Sequence, residues 1–201
     1  VVLEAADAIG WQQFSLLGHS MGAGISTLVP AVARERIERL VLLEGMGPLS
    51  SPAEGAPEQL AKALRSEVAM ALKEPSVHQN LEAAIAARMK NSDLDHSSAR
   101  LMVERGVEQI ARGVRFTFDP RLKTSSRMRL TEEQVLAFLE GIECPILAVR
   151  ATEGWPFPEQ ILARRLGAIA NLRTAQVEGG HHVHLTHPER VAPLIREFFG
   201  V

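Results

Sequence analysis

The stretch Phe14-Ser15-Leu16-Leu17-Gly18-His19-Ser20-Met21-Gly22-Ala23-Gly24 runs from an apolar segment into small residues without a break. Phe14 to Gly18 reads as a short buried strand. Gly22, Ala23 and Gly24 open a helix expected to reach about Ala33, with Pro30 marking a kink or an early end. Between them lies Gly18-His19-Ser20-Met21-Gly22, a G-x-S-x-G motif in a strand–turn–helix setting. A turn this sharp holds a serine in a strained conformation with its hydroxyl exposed. Gly18 and Gly22 are expected because a Cβ at either flank would clash with the neighbouring chain, and Gly24 because it lets the helix pack close to the sheet. Ser20 is therefore a candidate nucleophile. The Met21 N–H, at a helix N-terminus, is a candidate oxyanion donor.

Working outward, residues 1–12 read as the end of a helix closed by Gly10. Arg39 to Glu44 form a second strand, too apolar to have a wet face, and Pro145-Ile146-Leu147-Ala148-Val149 a third. A helix from Pro158 to about Leu166, a strand from Leu172 to Val177 and a last helix from Pro188 follow. Continuous apolar strands alternating with helices indicate a mostly parallel sheet covered on both faces. The intervening block differs. Leu60, Leu64, Val68 and Leu72 step by four, as do Val77, Leu81, Ile85 and Met89. Ser97 is placed to cap a helix carrying Leu101, Val107 and Ile110. Thr131 opens another, with Glu133 and Gln134 in its first turn. The expected organisation is a core over residues 1–49, an inserted helical cap over 50–141, and the returning core over 142–201.

Composition narrows the function. The chain has 201 residues, 46% hydrophobic and 23% charged, which excludes disorder and coiled coil. Lys and Arg total 22 against 24 Asp and Glu, so no basic excess points to nucleic acid or an anionic membrane. One cysteine, Cys144, excludes an internal disulfide framework and any multi-cysteine zinc site. No apolar run approaches a membrane span, and no signal peptide is evident, so the expected location is cytoplasmic.

A nucleophilic serine needs a base. Glu178-Gly179-Gly180-His181-His182-Val183-His184-Leu185-Thr186-His187-Pro188 follows the last strand. His181 comes first after the glycine pair, where the backbone can turn the ring over the sheet's carboxyl edge. His182 is expected to be exposed, His184 to pack beneath the loop, and His187 to sit near the start of the last helix. No carboxylate or thiolate joins these histidines at ligand spacing, so a metal site is not expected.

With the elbow Gly18-His19-Ser20-Met21-Gly22, the strand Leu40-Val41-Leu42-Leu43-Glu44, the segment Pro145-Ile146-Leu147 and Gly180-His181 running into His187-Pro188, the sequence resembles the α/β-hydrolase superfamily over nearly its whole length. Within it, Asp119-Pro120-Arg121-Leu122 and Gly180-His181-His182-Val183-His184 are most similar to the serine hydrolase-like proteins. Ser20 departs from the aspartate nucleophile of haloalkane dehalogenases and epoxide hydrolases, so those reactions are not implied. The resemblance implies strands ahead of Val1 that this chain lacks, and with them a second oxyanion donor. Their absence would leave the elbow strand with an open, apolar edge.

The resemblance also frames the acid. Its usual place is the turn after the third strand, which here reads Arg150-Ala151-Thr152-Glu153-Gly154-Trp155. The position expected to hold an aspartate is Gly154, and Glu153 stands one residue early. The other place is the end of the strand after the elbow helix, where Glu44 stands. A carboxylate there can orient the imidazole from its other nitrogen. Glu44 is the favoured acid and Glu153 the alternative. The implied reading is a serine hydrolase using Ser20, His181 and Glu44 on a small-molecule acyl substrate, with no cofactor. Its rival is a non-catalytic ligand-binding or interaction protein on the same fold.

Overall fold

A computed structural model describes residues 1–90 and 92–201. In chain order its elements are α1 (Val2–Ala8), β1 (Phe14–His19), α2 (Met21–Val32), β2 (Ile37–Leu43), α3 (Ala56–Ala71), β3 (Val77–His78), α4 (Leu81–Met89), α5 (His96–Gly106), β4 (Val107–Ile110), β5 (Gly113–Phe116), α6 (Glu132–Glu140), β6 (Ile146–Glu153), α7 (Glu159–Gly167), β7 (Leu172–Gly180), α8 (Val183–Thr186) and α9 (Pro188–Phe199). They fall into two compact units, Val1–Ser51 with Leu130–Val201, and Pro52–Arg129. No helix among the described residues is long and apolar enough to cross a membrane.

The first unit is a four-stranded parallel sheet in the order β1-β2-β6-β7. The paired middle of the central strands, Leu40 to Leu43 and Ile146 to Val149, is apolar without a break because both faces are covered there. On one face Leu40, Leu42, Ile146 and Ala148 pack with Val135 and Leu139 of α6 and Leu162 of α7. On the other, Val41, Leu43, Leu147, Val149 and Ala151 pack with Val183 and with Val191 of α9. The order brings the ends of β1, β2, β6 and β7 to one edge, where loops can meet. Pro30 does not break α2, which runs only two residues further.

A buried cation ties the loop after β2 to two helices of this unit. Arg165, only 1% exposed, donates from Nε and Nη2 to the Glu132 carboxylate at 2.9 and 2.6 Å. It also donates to the Met46 carbonyl at 2.8 Å and to Ser50 Oγ at 3.1 Å. Helix α6 opens on a capping box between Thr131 and Gln134. It belongs to the sheet unit rather than to the intervening one, because Val135 and Leu139 are fully buried in the sheet's core. The boundaries of the second unit, 52 and 129, therefore differ from the sequence boundaries of 50 and 141.

The second unit is not purely helical. Val77 lies in β3 rather than in a helix, and Val107 and Ile110 lie in β4 rather than on α5. With β5 they form an antiparallel sheet ordered β3-β5-β4. Helix α5 starts earlier than a Ser97 cap requires. Asp95 is its cap, its carboxylate accepting from the Ser98 N–H at 2.7 Å. In α3 the buried residue is Ala63, while Leu64, Val68 and Leu72 are exposed.

Candidate active site

The loops at the sheet's carboxyl edge carry Ser20, Glu44 and His181. Ser20 sits between β1 and α2 with φ 55° and ψ −118°. Glu44, the first residue past β2, has φ 53°. These are the two non-glycine residues with positive φ among the described residues. Each such conformation costs roughly 1–3 kcal/mol, which the surrounding packing must offset. The crowding at the elbow is one-sided. A Cβ on Gly18 would lie 2.6 Å from the carbonyl carbon of Gly22, so residue 18 must be glycine. A Cβ on Gly22 would meet nothing within 4 Å, which corrects the expectation of a clash at both flanks. It is the backbone of Gly22 that crowds Gly18, and the reverse contact does not exist.

The structure brings three of the sequence-predicted side chains into one chain of hydrogen bonds. Ser20 Oγ lies 2.9 Å from His181 Nε2, and His181 Nδ1 lies 3.2 Å from Glu44 Oε2. An ionised carboxylate only accepts, so Nδ1 carries the proton in this pair. In the neutral ring Nε2 is then the bare nitrogen facing the serine hydroxyl. Glu44 is 5% exposed. Its Oε1 accepts from the Ala151 N–H at 2.6 Å and its Oε2 from the Trp155 N–H at 2.7 Å. Burial pushes the Glu44 carboxyl up, but the bonds from His181, Ala151 and Trp155 outweigh it and hold the group below the usual glutamate value.

Gly154 leaves room for the candidate acid just past β2. An added Cβ there would overlap the Glu44 carboxylate. Glu153, the alternative acid, is exposed at the end of β6 and pairs with Gly180. Met21 is the first residue of α2, so its N–H has no partner within the helix ladder.

The remaining histidines cluster around the same point. His19 Nε2 donates to the His181 carbonyl at 2.7 Å, and its ring lies 4.1 Å from that of His184. Burial lowers the pKa of His19. His182 is half-buried, not exposed, because its ring packs 5.1 Å from His181 and 5.3 Å from His19. His187 caps α9 and lies 3.3 Å from Glu189. No group of three or more His, Cys, Asp or Glu side chains is placed to hold a metal ion among the described residues. Sequence reasoning missed the two backbone donors to Glu44 and the Trp155 ring, 5.7 Å from that of His181. Backbone donors leave no mark in residue types, and a lone tryptophan after a glycine gives no signal of its own.

Comparison with known proteins agrees with this architecture. A family model described as the alpha/beta hydrolase fold matches residues 1–188. A serine hydrolase-like protein of Dictyostelium discoideum is 28% identical over 213 aligned positions, covering 98% of this chain and 58% of the relative. The chain spans about three fifths of the length of the first curated relatives it matches. The crystal structure of a hypothetical protein from Pseudomonas aeruginosa superposes with a TM-score of 0.89 at 36% identity, over 100% of this chain and 72% of that one. A thioesterase domain from the curacin biosynthetic pathway shares the fold, with a TM-score of 0.76 at 23% identity over 96% of this chain and 68% of that one. The chain belongs to the alpha/beta hydrolase fold family.

Proposed function

We propose that this chain carries the acyl-transfer site of a serine hydrolase that cleaves an ester or a related acyl bond. The observation that supports this most is the unbroken run from Ser20 Oγ through both nitrogens of His181 to Glu44. Ser20 attacks the acyl carbonyl while His181 Nε2 takes the hydroxyl proton. The tetrahedral oxyanion receives the Met21 N–H at the positive end of α2. Collapse expels the leaving group, which accepts the proton from His181, and the acyl group remains on Ser20. Water then attacks the acyl-enzyme, again giving its proton to His181, and the acid product departs with Ser20 restored. Glu44 holds the imidazole in the tautomer that leaves Nε2 bare and stabilises the imidazolium formed at each transfer. Its three donors keep it ionised through the cycle.

The test is active-site titration of the 201-residue chain with a fluorophosphonate. One equivalent bound at Ser20, abolished in Ser20→Ala and strongly slowed in His181→Ala, is the expected result. No labelling of a folded chain that still binds acyl ligands would overturn it in favour of a non-catalytic binding protein.

A further inference from the structure

We propose that His19 is a positioning residue that fixes the base loop to the nucleophile elbow, so that residues 19 and 20 grip His181 at opposite ends. This rests on the acyl-transfer reading of Ser20 and His181. Ser20 holds the His181 ring at Nε2, at 2.9 Å. His19 holds the His181 main chain, its Nε2–H donating to the carbonyl at 2.7 Å.

That carbonyl needs an external partner. Strand β7 ends at Gly180 and α8 begins only at Val183, so residue 181 lies outside both the strand ladder and the helix. The strand end leading to it includes Gly179 at φ 143°, a conformation that favours glycine. His19, by contrast, is the last residue of β1 and is held in register with Leu43 of β2. A side chain on a rigid strand therefore fixes a main-chain atom on a loop 162 residues away.

The packing around His19 supports the same role. Its ring lies 4.7 Å from His181, 4.1 Å from His184 and 5.3 Å from His182, which limits its rotation. The carbonyl can only accept, so His19 carries its proton on Nε2. The charged or titratable groups facing His19 are His181, His182, His184 and Glu44, and burial lowers its pKa and favours the neutral ring. A neutral His19 leaves the imidazolium that forms on His181 free of a second positive charge beside it. His19 thus acts through His181 and does not itself exchange protons with substrate.

The test compares the second-order rate of fluorophosphonate labelling at Ser20 in the 201-residue chain and three variants. His19→Leu fills the space without a donor. His19→Gln places an amide N–H near the position of Nε2, and His19→Asn carries one too short to reach the carbonyl. Displacing a reacting group by about 1 Å can cost on the order of 100-fold, so the Leu and Asn variants should label about 10- to 100-fold more slowly. Gln should restore most of the rate. Rescue by Gln but not Asn, at equal thermal midpoints, separates positioning from a general loss of packing. If Leu does not fold, the Gln and Asn pair carries the comparison. Equal rates in all variants, or Gln as slow as Asn, overturn this inference and leave the acyl-transfer reading standing. A wild-type chain that does not label at all overturns both.

Discussion

The carboxylate of Glu44 occupies the space into which a side chain on Gly154 would project. A side chain at 154 and the Glu44 carboxylate compete for one space. Gly154→Ala should therefore push Glu44 off His181. Overpacking of this kind costs about 1–3 kcal/mol of stability. Labelling of Ser20 should fall with it. The exchange can also be completed: Glu44→Gly with Gly154→Asp moves the carboxylate to the β6 turn. This double variant should label faster than Glu44→Gly alone, and equal rates would show that the two sites are not interchangeable.

Glu44→Gln keeps the shape of the side chain but presents an amide among three donors, the Ala151 and Trp155 N–H groups and His181 Nδ1. At least one donor then faces another. The His181 tautomer that leaves Nε2 bare loses its support, and turnover should drop by about 10³- to 10⁴-fold, as for the loss of a triad carboxylate elsewhere. Glu153→Gln should leave turnover unchanged, because Glu153 is exposed. A larger effect at 153 than at 44 would reverse the assignment of the acid.

Acid should weaken the fold in two steps. His19 has a folded pKa below its unfolded value of about 6.5, so the stability it contributes is present above that value and declines as pH falls towards the folded pKa. Glu44 is also depressed, from a starting value near 4.5, so its contribution is lost lower, as pH falls through its folded pKa. Urea unfolding measured from pH 8 to pH 3 should show both losses. His19→Gln should flatten the upper part and Glu44→Gln the lower part. A profile identical to wild type in both variants would contradict the burial and bonding found for the two groups.

Arg165 offers a test away from the chemistry. Its guanidinium is buried on Glu132, Ser50 and the Met46 carbonyl. Removing one partner of such a pair leaves the other charge stranded and costs about 3–5 kcal/mol. Arg165→Ala should lose that much in urea unfolding, whereas Arg165→Met with Glu132→Leu should recover a large part of it. A loss under about 1 kcal/mol for the single variant would show that the pair is already solvated.

Much of the site could be read from residue types because local geometry dictates them. The elbow needs glycine at 18, where the backbone of Gly22 leaves no room, and serine at the strained corner. Leu40 to Leu43 of β2 and Ile146 to Val149 of β6 are apolar because both their faces are covered. The β3-β5-β4 sheet is not legible in the sequence because Val107 and Ile110 in Val107-Glu108-Gln109-Ile110 keep a helical spacing, and the pairing with β5 is set by a tight turn at Ala111-Arg112. The apolar steps of α3 misled for another reason: Leu64, Val68 and Leu72 share a face that is exposed, while the smaller Ala63 is buried. Gly154 reads in the sequence as the place of a missing aspartate. The gap is filled by Glu44, which follows the neighbouring strand and is distant in sequence.

With Glu44 as the proposed acid just past β2, the order in which the site can assemble also changes. Ser20 and Glu44 both belong to the β1-α2-β2 crossover, whose contacts are close in sequence, and the Ser20 N–H already donates to the Leu43 carbonyl at 2.9 Å. His181 must arrive from 161 residues beyond Ser20, after β6 and β7 have joined the sheet. Loop-closure entropy opposes such distant contacts until nearer ones exist. On the proposed roles, Ser20 and Glu44 should form an early, local half of the site, with His181 closing it last. During refolding, reactivity at Ser20 becomes a clock for the arrival of the sheet's far side.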